Sequence, residues 1–150
     1  MSQTSIAEAP VDLKLAHASC LRALTPEAHQ ALGGDGLAIP RLPFRVGRES
    51  RRPLTKLAMS IERRLGTTPT LNDLYITEQG NRIQVSRIHF LIDATDEGFF
   101  LLDRGSACGT IVNDMVVGGD RTGGRVRLFN DDVITVGSAS SPFVFQFMYR

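Results

Sequence analysis

The stretch from Phe143 to Tyr149 constrains the fold most tightly. Phe143, Phe145, Phe147 and Tyr149 alternate with Val144, Gln146 and Met148. Successive side chains of a strand point to opposite faces, so this two-residue period describes a strand with one aromatic face to bury. Such a face needs a second layer. Short apolar segments bounded by turn residues supply it at 37–39, 44–47, 74–76, 82–85, 88–92, 99–103, 111–113, 115–117, 126–128 and 133–136. Many short strands with turns at close intervals predict an all-β protein, a β-sandwich of about 10–11 short strands. The aromatic last strand suits either a covered core position or a sheet edge.

Residues 1–12, rich in Ser, Ala and Pro, read as a flexible N-terminal leader, and residues 13–150 as one sandwich domain. Leu13, Leu15, Leu21 and Leu24 fit a strand or a short helix, with a strand favoured in the second half of that segment. Thr25 as N-cap with Pro26 at the first helical position predicts a helical turn, and Gly33-Gly34-Asp35-Gly36 a tight turn after it. One longer segment breaks the β rhythm. In 52–67, Leu54, Leu57, Ala58, Ile61 and Leu65 fall at helical spacing, with Pro53 at the start and Gly66 as a stop, predicting a short helix inserted at about residues 49–72.

Charge and cysteine content narrow the function classes. Seventeen Lys and Arg against sixteen Asp and Glu leave a net charge of +1, which argues against nucleic acid or an anionic membrane as partner. Cys20 and Cys108 lack CxxC spacing, so neither a zinc site nor a disulfide framework is indicated. Cys20 is expected in the core. With no signal-like leader and no apolar run of membrane-spanning length in the sequence, a cytoplasmic location is expected.

Three polar clusters sit at strand boundaries: Gly47-Arg48, Ser86-Arg87-Ile88-His89, and Ser106-Ala107-Cys108-Gly109-Thr110 followed by Asn113. Loops at the end of a rigid sandwich are where recognition residues gather. Arg48 offers a planar fork that grips two phosphate oxygens, Ser86 a hydroxyl donor for a third, and Arg87 a second cation. A phosphate monoester carries roughly −1.5 to −2 charges and three acceptor oxygens at pH 7, which this set matches better than a carboxylate would.

In order, FRVGRES, VSRIHF, LLDRGSACGTIVN, DDVITVG and FVFQF resemble the forkhead-associated (FHA) domain, a family of phosphothreonine-binding β-sandwiches, from about Leu21 to Tyr149. The resemblance implies that Arg48 and Ser86 contact phosphate, with Arg87 beside them along the peptide groove. It implies that Ala107, Cys108 and Thr110 line that groove, and that Gly47, His89, Gly109 and Asn113 shape the loops. No catalytic residue, metal or cofactor is implied, and the partner is a Thr-phosphorylated protein.

The chain departs from the family pattern at three places. Ala107-Cys108 stands where the family commonly has Thr-Asn; a thiol is a weak donor and acceptor, so a peptide-backbone hydrogen bond of about 0.5–1.5 kcal/mol is weakened there. Asn130-Asp131-Asp132 replaces a Gly-Asp turn, and both Asn and Asp tolerate a left-handed turn. The insertion at about 49–72 is longer than the family's loop. From Arg48 to Gly66, Arg48, Arg51, Arg52, Lys56, Arg63 and Arg64 outnumber Glu49 and Glu62, a local charge of +4. These charges suit either the solvated face of a helix or an anionic partner.

The expected function is therefore phosphothreonine-peptide recognition in signalling, without catalysis. The alternative is an FHA-fold scaffold that makes phosphate-independent protein contacts through the 49–72 insertion. Cys108 and His89 lie in no motif that would activate a nucleophile.

Overall fold

The computed structural model describes residues 18–49, 71–80 and 82–150. The expected leader at 1–12 and the expected helix at 52–67 lie outside the described residues. Eleven strands are described: β1 (Ser19–Ala23), β2 (Gly36–Ala38), β3 (Phe44–Arg48), β4 (Leu74–Ile76), β5 (Phe90–Thr95), β6 (Gly98–Asp103), β7 (Thr110–Val112), β8 (Met115–Val117), β9 (Gly124–Leu128), β10 (Val133–Val136) and β11 (Val144–Tyr149). They form a six-stranded sheet, β2-β1-β11-β10-β7-β8, and a five-stranded sheet, β4-β3-β5-β6-β9.

β11 lies inside the first sheet, paired antiparallel to β1 and β10. Phe145 and Phe147 are fully buried and Phe143 nearly so, whereas Tyr149 is half-buried. Phe99 of β6 reaches across from the other sheet, its ring 5.0 Å from those of both Phe147 and Tyr149. The alternation read from sequence is thus the seam between the layers. Leu21, Phe44, Val46, Phe90, Ile92, Leu101 and Ile134 fill the remaining core. Full burial of each such side chain contributes about 1.5–3 kcal/mol. Cys20, expected in the core, alternates with buried Ser19 and Leu21 and is half-buried on the opposite face.

The one described helix, α1 (Pro26–Leu32), starts where Thr25 caps it: its hydroxyl accepts from the Ala28 N–H at 3.1 Å and Pro26 occupies the first turn. Gly33, at φ 75°, ends it, its N–H bonding back to the His29 and Gln30 carbonyls. Ala28 plugs the core.

β3 and β4 are parallel neighbours, Val46 opposite Leu74 and Arg48 opposite Ile76. Parallel strands cannot be joined by a tight turn; the chain must cross from one end of the sheet to the other. A long connection between Arg48 and Leu74 therefore follows from the topology. The strand expected at 82–85 is instead loop. A carboxylate replaces the ladder there: Glu78 accepts the Gln84 N–H at 2.6 Å and the Val85 N–H at 2.9 Å. The strand expected from residue 88 begins at Phe90; His89, just before it, donates its N–H to the Val46 carbonyl at 3.1 Å and bonds through both ring nitrogens to loops.

Candidate functional site

Four chain segments converge at one end of the sandwich: the end of β3, the 77–89 connection, the 104–109 connection and the 118–123 connection. Hydrogen bonds tie them in sequence. Arg48 N–H donates to the Ser86 carbonyl at 2.9 Å, Ala107 N–H to the Ser86 hydroxyl oxygen at 3.0 Å, and Arg121 N–H to the Ser106 carbonyl at 2.9 Å. Arg48, Ser86, Arg87, Ala107, Cys108 and Arg121 line a shallow depression of about 360 Å³. Among the described residues, no Asp or Glu lines it.

Arg48 is half-buried, and its Nε–H donates to the Val85 carbonyl at 2.8 Å. That bond spends one nitrogen to fix the guanidinium plane and leaves the terminal pair for a ligand. The Ser86 hydroxyl accepts from a backbone N–H, so its own proton remains to donate, and accepting strengthens it as a donor. Arg87 is exposed.

Beneath these residues lies a buried polar frame. His89 is fully buried; the Ser86 N–H donates to Nδ1 at 2.9 Å, and Nε2 lies 2.7 Å from the Gly109 carbonyl. A carbonyl needs a donor, so the proton is on Nε2 and the ring is neutral. Burial lowers the His89 pKa from its ordinary 6.5, against the opposing pull of the Gly109 carbonyl and of the Asp103 and Glu78 charges.

Asp103, at the end of β6, is the hub of the next loop. Its carboxylate accepts from Gly105 N–H (3.1 Å), Ser106 N–H (2.9 Å), Ser106 Oγ (2.6 Å) and Thr110 Oγ1 (2.8 Å). Ser106 Oγ in turn accepts from Gly109 N–H at 2.9 Å, and Gly109 turns at φ 82°, a conformation that L side chains resist.

Gly47 is required for contact, not for turning. A Cβ there would collide with the Arg87 carbonyl oxygen and lie 2.6 Å from Asn72 Nδ2. Asn72, buried, donates from Nδ2 to that same carbonyl at 2.7 Å, so β3, the segment just before β4 and the Ser86-Arg87 loop meet at one point.

Arg48, Ser86, Arg87, Ala107 and Cys108, named from sequence, come together around one depression. Thr110, expected along the groove, does not join them: it is fully buried with its hydroxyl on Asp103, so its side chain holds the loop instead. Asn113 lies away from the depression, at φ 57° in the turn between β7 and β8. Its Nδ2 donates to Asp132 Oδ1 and its Oδ1 accepts from Val133 N–H, both at 3.0 Å. Cys108 is exposed, its thiol 3.6 Å from the Ile83 carbonyl. Asp131 takes φ 74°, the left-handed turn expected of the Asn130-Asp131-Asp132 segment.

Sequence reasoning missed Asn72, Asp103 and Arg121. Asp103-Arg104-Gly105-Ser106 carries the signature of an Asx-type turn, and Arg121 stands in a glycine-rich stretch, Gly118-Gly119-Asp120-Arg121-Thr122-Gly123. Those two were visible as signals. Asn72 was not, since nothing local marks its distant partner.

Fold and loop cluster define a two-sheet β-sandwich that carries its polar residues on the connections at one end. The family model of the FHA domain matches residues 45–137, well over half of the chain, and the protein belongs to that family. Among solved structures it is similar to the FHA domain of the CT664 protein from Chlamydia trachomatis, at 17% identity and a TM-score of 0.53, covering 89% of this chain and 98% of that one. It is equally similar to the FHA domain of an Arabidopsis thaliana hypothetical protein, at 21% identity and a TM-score of 0.53, covering 90% and 87%. A third is Mycobacterium tuberculosis EmbR in complex with a low-affinity phosphopeptide, at 18% identity and a TM-score of 0.53, covering 88% of this chain but only 24% of EmbR. No curated protein matches the sequence.

Proposed function

We propose that this FHA domain is a signalling module that binds phosphothreonine in a partner protein, with Arg48 and Ser86 gripping the phosphate and Arg87 beside them. One observation carries the reading: Arg48 and Ser86, far apart in sequence, are joined backbone to backbone at the rim of a depression lined, among the described residues, by three arginines and no carboxylate. A dianionic phosphate meets there a fork, a hydroxyl donor and a positive field. Membership in the FHA family, and the phosphopeptide bound by the similar EmbR, support the same reading. The reading is of binding rather than catalysis: both His89 ring nitrogens are engaged by backbone groups, so this ring does not serve Cys108 as a base.

The test is titration of matched peptides carrying phosphothreonine, phosphoserine or unmodified threonine at low salt. Phosphothreonine binds best, the unmodified peptide does not bind, and affinity falls as salt screens the arginines. Arg48→Ala costs about 2–5 kcal/mol of binding free energy. Equal binding of modified and unmodified peptides would sink the reading.

A further inference from the structure

We infer that Arg121 recognises an acidic residue flanking the phosphothreonine, so that the preferred partner is a phosphothreonine peptide with a neighbouring carboxylate. This rests on the phosphothreonine reading above and goes beyond it. Charge is the first argument. Arg48, Arg87 and Arg121 bring three positive charges to a depression that, among the described residues, no Asp or Glu lines. A phosphate monoester supplies roughly −1.5 to −2 charges, which leaves about one cation unmatched when phosphate alone is bound. Among the described residues none of the three makes an ion pair.

Placement is the second argument. Arg48 and Ser86 are coupled to each other through the Ser86 carbonyl, and Arg87 follows directly in sequence. Arg121 arrives from a different connection and is anchored to the 104–109 loop, its N–H on the Ser106 carbonyl while Asp120 N–H bonds the Ala107 carbonyl at 2.9 Å. It therefore stands on the Ala107-Cys108 side of the depression, where the thiol is a weak partner for a peptide.

The backbone is the third. Asp120 and Arg121 adopt φ 53° and 63°, left-handed conformations uncommon outside glycine, in a stretch with glycine on both sides. Holding an arginine where glycine would sit without strain is a cost that a ligand contact explains.

The experiment uses fluorescence anisotropy on a phosphothreonine peptide with asparagine at every flanking position, each replaced in turn by aspartate. Asparagine keeps the shape and removes the charge. At one flanking position aspartate binds about fivefold tighter than asparagine, the size of an exposed ion pair. Arg121→Gly, which the left-handed backbone accepts, brings that ratio to about one whatever it does to overall affinity, and Arg87→Ala leaves the ratio in place. A flat profile with phosphate-dependent binding intact overturns this inference alone. So does a ratio that survives Arg121→Gly or collapses only in Arg87→Ala. Absence of phosphate-dependent binding to every peptide overturns the phosphothreonine reading and this one together.

Discussion

The Ser86 backbone N–H donates to His89 Nδ1 over 2.9 Å, which makes the candidate phosphate-binding serine and a fully buried imidazole parts of one rigid unit. The other ring nitrogen bonds the Gly109 carbonyl, so the ring spans two of the loops that carry the site. A second ring proton would face the Ser86 N–H, donor against donor.

Stability should therefore fall in mild acid. Burial holds the folded-state His89 pKa below the ordinary 6.5, so between the two values the unfolded chain binds more protons than the folded one. Stability is full above pH 6.5 and declines as pH drops toward the folded value, with a slope approaching about 1.4 kcal/mol per pH unit. Urea unfolding of wild type and His89→Gln at about pH 7.5 and about pH 5.5 isolates this group. The gap between the two proteins narrows in acid; a constant gap would assign the acid sensitivity elsewhere.

Gly47→Ala tests the close approach of β3 to the Ser86-Arg87 loop. An added Cβ collides with the Arg87 carbonyl and crowds Asn72, and backbone cannot step aside as a flexible side chain would. The expected loss is about 1–3 kcal/mol, read from denaturant midpoints. A control substitution at Gly34, where a Cβ meets nothing within 4 Å, leaves stability nearly unchanged.

Asp103→Asn tests the frame beneath the 104–109 loop. Each carboxylate oxygen accepts two hydrogen bonds, and an amide replaces one of these acceptors by a donor pointed at other donors. The cost is about 1–3 kcal/mol for the buried groups left unpaired. Phosphopeptide affinity falls with it, because Ala107 and Arg121 hang from the same loop. Unchanged stability would show that Ser106 and Thr110 find other partners.

The strand pattern and the residues proposed to hold phosphate stood out in sequence for different physical reasons. β11 was legible because a two-residue aromatic period has one structural meaning, and Arg48 and Ser86 because fork and hydroxyl chemistry belongs to particular side chains. Residues 82–85 misled because Ile83 and Val85 alternate with polar residues, yet a strand needs a neighbour to complete its ladder, and Glu78 takes that place. Thr110 was placed on the groove by the family pattern, but its hydroxyl faces Asp103, a partnership made in space. The glycine-rich stretch marked Arg121 only as part of a turn, because its backbone bond to Ser106 and its position at the depression depend on loops that meet only after folding.

The Arg45–Asp73 clamp offers a last test, at the root of the crossover between β3 and β4. Asp73 accepts Arg45 Nε at 3.0 Å, Arg45 Nη2 at 3.1 Å and the Arg45 N–H at 2.9 Å, while its own N–H bonds the Arg45 carbonyl at 2.8 Å. Partial burial alone would raise the Asp73 pKa; the Arg45 hydrogen bonds and charge, helped by Arg41, outweigh it and hold the carboxyl below its ordinary 3.8. A depressed folded-state value means that the stabilisation is complete above pH 3.8 and is lost as pH falls through the folded pKa. Asp73→Asn is therefore less stable than wild type at neutral pH by about 1–3 kcal/mol, and the difference shrinks in strong acid. Because the clamp fixes where the crossover rejoins the sheet, a double-mutant cycle with Arg45→Gln gives a coupling of about 1 kcal/mol or more. Purely additive effects would show that the pair contributes no more than its separate contacts.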